Sequence, residues 1–257
     1  MVISPKKKPI TKRKVKKQVK KKSNTRWVLL LFILVFLTIV TLYFYSPFQK
    51  KINKNSFIEN IPLGFESFGI DVSHHQGEID WDRLLNKEHY DTIIHFVYCK
   101  ATEGNSYVDT KWEYNRETLN EFGIPNGAYH FFTTKEAPKP QVDHFLTYWK
   151  QNKIDLPPVL DVETEGFSDE DLRKKMKIWL EEVENRTGIR PIIYTSHNFF
   201  ETKFKFFFPK HKFWIAAYSK KPTSIDDNRI LHWQFSENGV LPGIDEEVDL
   251  NVSKVSF

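Results

Sequence analysis

Cysteine is nearly missing from this chain: Cys99 is the single one in 257 residues. No intrachain disulfide is possible, so the fold has to hold together by burying apolar surface. Cys99 follows the apolar run Ile93 to Tyr98 and has no thiolate-favouring neighbours, so it reads as a small buried hydrophobe and not a nucleophile. Internal repeats are absent, and so is low-complexity sequence beyond the N-terminal tail, which excludes a solenoid or a largely disordered chain. Acids are absent from the first 26 residues, which hold 12 Lys or Arg. Charge of either sign is absent from Trp27 to Tyr45, 19 residues built mainly of Leu, Ile, Val and Phe.

At about 1.5 Å per residue, a helix over 27–45 spans the ~30 Å hydrocarbon core of a bilayer. Trp27 at one end and Tyr43 and Tyr45 at the other suit the two interfaces, and the basic side is expected to stay in the cytoplasm. The run ends Tyr-Phe-Tyr-Ser-Pro-Phe without small residues at a cleavage position, so it reads as an anchor and not a cleaved signal peptide. The expectation is a single-pass protein of the cytoplasmic membrane, with its C-terminal bulk on the periplasmic or cell-wall side.

Net charge misleads here. Taking the tail's 12 bases from the total of 38 leaves 26 against 33 acids. The remainder is mildly acidic, which argues against a nucleic-acid partner and makes the tail a topology signal. Four segments follow: a basic cytoplasmic tail (1–26), a transmembrane anchor (27–45), a polar linker (46–65) and one globular domain (66–257).

Within that domain, short β-branched or aromatic runs recur. They are Phe68-Gly-Ile-Asp-Val, Thr92-Ile-Ile-His-Phe-Val-Tyr-Cys, Gly127-Ala-Tyr-His-Phe-Phe, Pro158-Val-Leu-Asp-Val, Pro191-Ile-Ile-Tyr-Thr, Phe213-Trp-Ile-Ala-Ala-Tyr and Ile230-Leu-His-Trp-Gln-Phe. Each reads as a strand. Ser168-Asp-Glu-Asp171 is a capping box opening a helix to about Arg186, closed by Gly188. Asp109 to Phe122 and Lys139 to Gln151 are further helix candidates. Alternating strands and helices imply parallel pairing in an α/β sheet or barrel. In such a barrel, the C-terminal strand ends converge on one face.

Acids sit near those ends. Asp161 and Glu163 close the run Leu156-Pro-Pro-Val-Leu-Asp-Val-Glu. At i and i+2 on a strand they face one side, about 6–7 Å apart. Two carboxyls sharing a space raise each other's pKa, and glycosidic bond cleavage uses such a pair. The spacing falls between the separations of retaining and inverting enzymes, so it leaves the stereochemistry open. Asp71 and Asp249 are expected around the same pocket. The adjacent His74 and His75 face opposite sides if they lie on a strand, and no second cluster accompanies them, so neither metal nor cofactor is expected. His130 reads as a hydrogen-bonded core histidine, and Asp245-Glu246-Glu247 as a solvated loop. Lys100 and Glu103 form either a polar pair at the pocket or a strand-end ion pair.

The surrounding blocks are more specific than any single acid. Gly69-Ile-Asp71-Val-Ser-His74-His75-Gln76-Gly77 is followed by Ile79-Asp-Trp81, Phe96-Val-Tyr-Cys-Lys100-Ala-Thr-Glu103-Gly104 and Gly127-Ala-Tyr129-His130-Phe-Phe. Then come Pro158-Val-Leu-Asp161-Val-Glu163, Pro191-Ile-Ile-Tyr194-Thr, Trp214-Ile-Ala-Ala-Tyr218, Trp233-Gln234-Phe and Val248-Asp249-Leu-Asn251. In this order they resemble glycoside hydrolase family 25, the Chalaropsis-type lysozymes or N-acetylmuramidases, over about Phe68 to Val252.

The resemblance implies an irregular TIM-like (β/α) barrel and a groove for peptidoglycan glycan strands. It implies hydrolysis of the β-1,4 bond from N-acetylmuramic acid to N-acetylglucosamine. Glu163 matches the general acid, and Asp161 the carboxylate assisting the substrate's 2-acetamido group. Asp71 and Asp249 match further groove acids. Tyr129, Tyr194, Trp214, Tyr218 and Gln234 match sugar contacts, with Lys100 and Glu103 beside them. Where many members carry an aromatic residue after the first histidine, this chain has His75. A monomer is expected. The alternatives are a silent peptidoglycan-binding module and a chitin-directed hydrolase, although the acidic motif D-x-x-D-x-D-x-E usual in barrel chitinases is missing at Leu156 to Glu163.

Overall fold

The computed structural model describes residues 64–85, 94–149, 155–218 and 221–257. The basic tail, the apolar run and the linker as far as residue 63 lie outside them. Among the described residues, no helix is long and apolar enough to cross a membrane.

Nine strands form one sheet among the described residues: β1 (Ser67–Val72), β2 (Phe96–Glu103), β3 (Tyr107–Val108), β4 (Asn126–Phe131), β5 (Val159–Asp161), β6 (Ile192–Ser196), β7 (Phe213–Ala216), β8 (Ile230–Gly239) and β9 (Val248–Ser253). Pairing is parallel from β1 through β2, β4, β5, β6 and β7 to β8. An antiparallel β9 then joins β8 back to β1. Eight strands thereby close a barrel, and β3 is a short antiparallel ribbon on β2. Parallel order throughout was the sequence expectation, and β9 departs from it. The chain between β8 and β9 is too short to carry a crossover, so the second strand returns as a hairpin.

Side-chain alternation builds two cores. Phe96, Tyr98, Val159, Ile192, Tyr194 and Trp214 point inward and fill the barrel. Val97, Cys99, Leu160, Ile193 and Ile215 point outward, against the helices. Cys99 is buried and its thiol is held protonated by burial first, then by the Asp109 and Asp71 charges. Phe257, the last residue, lies against Phe96 at the barrel's N-terminal end, with ring centroids 5.0 Å apart.

The principal helices are α1 (Trp81–Leu85), α2 (Trp112–Glu121), α3 (Pro138–Tyr148) and α4 (Asp169–Thr187). The α4 limits match the sequence signals: Ser168 Oγ accepts from the Asp171 N–H at 3.1 Å, and Gly188 closes the helix at φ 73°. Leu172, Met176, Trp179, Leu180 and Val183 form its buried face. The α2 helix starts three residues later than expected, because the Asp109 carboxylate accepts the Lys111 N–H and turns the chain ahead of the helix. The α3 helix opens on Pro138, whose missing N–H costs nothing at a first turn, and ends at Tyr148. The expected end at Gln151 lies outside the described residues. Beyond β6 the chain makes only a short helical turn, His197–Phe199, and a π-helical turn, Phe200–Phe204. The irregularity expected of the barrel is real.

Candidate active site

The four acids meet. Asp71 sits near the end of β1 and Asp161 is the last residue of β5, with Glu163 two positions on. Asp249 reaches them by a different route from the one expected. It lies near the start of β9, and because that strand runs antiparallel it pairs directly with Asp71. All four line one cavity of about 200 Å³ at the end where the parallel strands finish. Lys100, Tyr129, Tyr194, Trp214 and Gln234 line it too, as do Ser73, His75 and Phe131.

A buried network fixes the Asp71 side of the cavity. Asp71 Oδ2 accepts from Gln234 Nε2 at 2.8 Å and from Asn251 Nδ2 at 2.7 Å. Trp214 Nε1 donates to Asn251 Oδ1 at 2.8 Å, which orients that amide. The Tyr194 and Tyr218 hydroxyls both donate to Gln234 Oε1, at 2.7 and 2.8 Å, which orients the other. Trp214 is 1% exposed, so it forms the cavity floor and not an open platform.

The electrostatics follow from packing acids together out of water. Burial raises Asp71 to about 6, against the lowering effect of its Asn251 and Gln234 hydrogen bonds. Asp249 rises to about 8 through burial, then through the charges of Asp71, Glu237 and Glu163. Burial also pushes Asp161 well above the ordinary range, the Glu163 charge adds to that, and the Lys100 ammonium opposes it. Glu163 stands at the mouth and rises less: burial lifts it, while a hydrogen bond from Tyr194 and the Lys100 charge pull it down. Asp161 Oδ1 is buried with no hydrogen-bond partner among the described residues.

Two of the expected substrate contacts stand back from the cavity. Glu103 does not line it; it pairs with Lys100 at 2.6 Å and so holds the amine that does. Tyr218 is also outside the lining and acts on Gln234. The sequence reading passed over Asn251 as a site residue, although its i, i+2 relation to Asp249 on a strand was the available signal. The histidine pair needs correcting. His74 to Gln76 form a 3-10 turn capped by Ser73, not a strand, so the two rings do not face opposite sides but lie 4.0 Å apart. His74 Nδ1 is 2.7 Å from the buried Asp109 carboxylate, and His75 reaches the cavity. His130 is the core histidine expected, between Thr102 Oγ1 at 2.8 Å and Gln141 Oε1 at 3.1 Å, and burial lowers it to about 3.

A raised carboxyl has a consequence for stability. The folded state keeps the Asp249 proton up to about pH 8, whereas the unfolded chain releases it near the ordinary 3.8. The resulting stabilisation is complete below that lower value and is lost as pH rises through the upper one. Asp249→Asn keeps a donor for Asp71 and removes the ionisation. It is expected to raise unfolding stability by about 2 kcal/mol or more at pH 8 and by less than about 1 kcal/mol at pH 4. Urea titrations at the two pH values check this, and equal gains at both would contradict it.

The sequence pattern of glycosyl hydrolases family 25 matches residues 70–244, a span that contains the four-carboxyl cavity apart from Asp249. The chain belongs to glycosyl hydrolases family 25. As a member it is a glycoside hydrolase. The uncharacterized protein YegX of Escherichia coli O6:H1 is 34% identical over 252 residues, covering 91% of this chain and 93% of its own. Lysozyme M1 of Streptomyces globisporus is 29% identical over 199 residues, covering 71% of this chain and 66% of its own. Among solved structures, a family 25 glycosyl hydrolase from Bacillus anthracis superposes with a TM-score of 0.66 at 31% identity, over 74% of this chain and 89% of that one. The family 25 barrel is thus shared across most of the described residues.

Proposed function

We propose that this glycoside hydrolase is a lysozyme, cleaving the β-1,4 bond from N-acetylmuramic acid to N-acetylglucosamine in peptidoglycan. The carrying observation is the Asp161–Glu163 pair in one cavity, both carboxyls raised and Asp161 Oδ1 without a partner. The name of the Streptomyces relative, a lysozyme, supports the substrate.

Glu163, at the mouth, gives its proton to the glycosidic oxygen as the bond to C1 breaks. Asp161 accepts the N–H of the substrate's 2-acetamido group, turning the acetamido oxygen toward C1 as the internal nucleophile. That contact also favours the ionised form of Asp161, so the pair's shared proton passes to Glu163 when substrate arrives. Water then opens the cyclic intermediate, with Glu163 as base. Asp71 and Asp249 hold the far wall, and Lys100, Tyr129, Tyr194 and Gln234 contact the sugars. Both proton transfers are made by carboxyls, so the scheme needs no metal or cofactor.

The composition of residues 1–45 supports anchoring in the cytoplasmic membrane, with the N-terminus inside and the barrel outside the cytoplasm. Fractionation tests the location: the full chain should sediment with membranes, and a chain lacking the first 58 residues should not. For the activity, the full chain is incubated with purified sacculi and with chitin oligomers across pH 4–8. New reducing ends at muramic acid are the expected result. No release from sacculi at any pH, or faster cleavage of chitin, would overturn the reading.

A further inference from the structure

A second hollow, of about 560 Å³, lies beside the cleft between the loops that follow β4 and β5. Thr134 and Lys135 come from the first loop, and Glu165, Gly166 and Phe167 from the second, with Asp171 and Lys175 of α4 behind them. The first loop begins just past Phe131 and the second just past Glu163, and both of those residues line the cleft. Glu163 and Phe167 are four residues apart, so at ~3.3–3.6 Å per residue no more than about 14 Å separates them.

Phe167 is 97% exposed, the most exposed large apolar side chain among the described residues. Its position is not that of a loose loop. Thr134 Oγ1 donates to the Glu165 carbonyl at 2.8 Å, tying the two loops together. At Gly166 a Cβ would stand 3.0 Å from Leu172 Cβ, so the chain lies flat on the helix there. Immediately after Phe167, Ser168 is fixed as the cap of α4. With the backbone held on both sides of the ring, little chain ordering is left to be done when an apolar partner covers it.

The charges in the hollow are unequal in availability. The Lys175 ammonium is taken by the Thr134 carbonyl at 2.7 Å and by Asp171 at 2.9 Å. Glu165 is held by Lys203 at 2.9 Å. Lys135 is exposed and pairs with none of the described carboxylates. The hollow therefore offers one apolar ring and one available cation. A neutral sugar has no use for that cation. A short peptide bearing methyl groups and carboxylates uses both.

We propose that this hollow binds the peptide stem that the lactyl group of muramic acid carries, with Phe167 against the stem's apolar side chains and Lys135 on one of its carboxylates. The proposal rests on the lysozyme reading. A muramic acid positioned for Glu163 has its stem beginning at the cleft, and three or four stem residues at ~3.3 Å each cover the distance to Phe167. Binding energy collected at the stem would select peptide-bearing glycan over bare glycan.

The test uses the full chain and two polymers from one sacculus preparation, intact or stripped of stems by an amidase that cuts the lactyl–peptide bond. Wild type should process intact polymer with a kcat/KM about 10-fold above stripped glycan. Phe167→Ala and Lys135→Ala should each lose about 3–10-fold on the intact polymer, mainly in KM, and nothing on stripped glycan; such losses correspond to about 0.7–1.4 kcal/mol. Equal losses on both polymers would make the hollow a saccharide subsite, and no loss on either would make it bare surface; both overturn the proposal. Co-sedimentation of each protein with each polymer is measured in parallel. Absence of any hydrolysis then counts against the lysozyme reading, whereas equal binding of both polymers counts against the stem site.

Discussion

Glu163→Gln is expected to lower the release of reducing ends from sacculi by about 10²–10⁴-fold, the usual range for loss of a positioned general acid. Gln keeps the size of the side chain but has no proton to give. Binding to sacculi and the unfolding midpoint should stay near wild type, because Glu163 stands at the mouth of the cavity and not in the buried network that holds Asp71. The pH dependence carries the same assignment. Burial lifts the Glu163 carboxyl above its ordinary 4.5, so wild-type activity should persist above that pH and fall as the proton is finally lost. In the variant that alkaline limb should vanish together with the rate. If Glu163→Gln kept even a tenth of the wild-type rate, the proton would have to come from another carboxyl. Asp249, raised to about 8, would be the first to examine.

The site was more legible than the way in which it is assembled. Asp161 and Glu163 lie two residues apart at a strand end, and period-two alternation is enough to place both in one space. Asp71 was readable on the same logic. Asp249 was placed at the right pocket from the wrong geometry: nothing in Val248-Asp249-Leu-Asn251 reveals that its strand runs backwards, since strand direction is set by the short β8–β9 connection and by closure against β1. The turn at His74 and His75 was missed for a local reason. Ser73 and Gln76 cap each other's backbone, and two hydrogen bonds outweigh the extended tendency of the preceding run. Side-chain partners were also hidden. Tyr218 and Glu103 carry the residue types of sugar contacts, and nothing in the sequence shows that Tyr218 donates to Gln234 or that Glu103 holds Lys100.

Gly69→Ala is expected to destabilise the barrel by about 3 kcal/mol, at the upper end of overpacking costs. Gly69 is not needed for an unusual backbone, since it lies within the extended β1 strand, and the argument is one of space. It pairs with Phe96 on β2, and a Cβ at this position would stand 2.6 Å from the Phe96 ring and 2.6 Å from the Phe96 carbonyl oxygen. The ring has nowhere to retreat, because it is packed against His232 at 5.2 Å and Phe257 at 5.0 Å between centroids. The carbonyl belongs to the neighbouring strand and cannot move without parting β1 from β2, where the barrel closes. Phe96→Leu in the same chain should therefore rescue only part of the loss, because it relieves the ring contact and leaves the carbonyl contact in place. Urea unfolding followed by tryptophan fluorescence measures all three proteins. A Gly69→Ala barrel within about 0.5 kcal/mol of wild type, the usual range for a surface substitution, would mean that the interior of β1 is not packed in this way. Since domains of this kind are stable by only about 5–15 kcal/mol, a loss of about 3 would take a substantial fraction of what keeps the four carboxyls together.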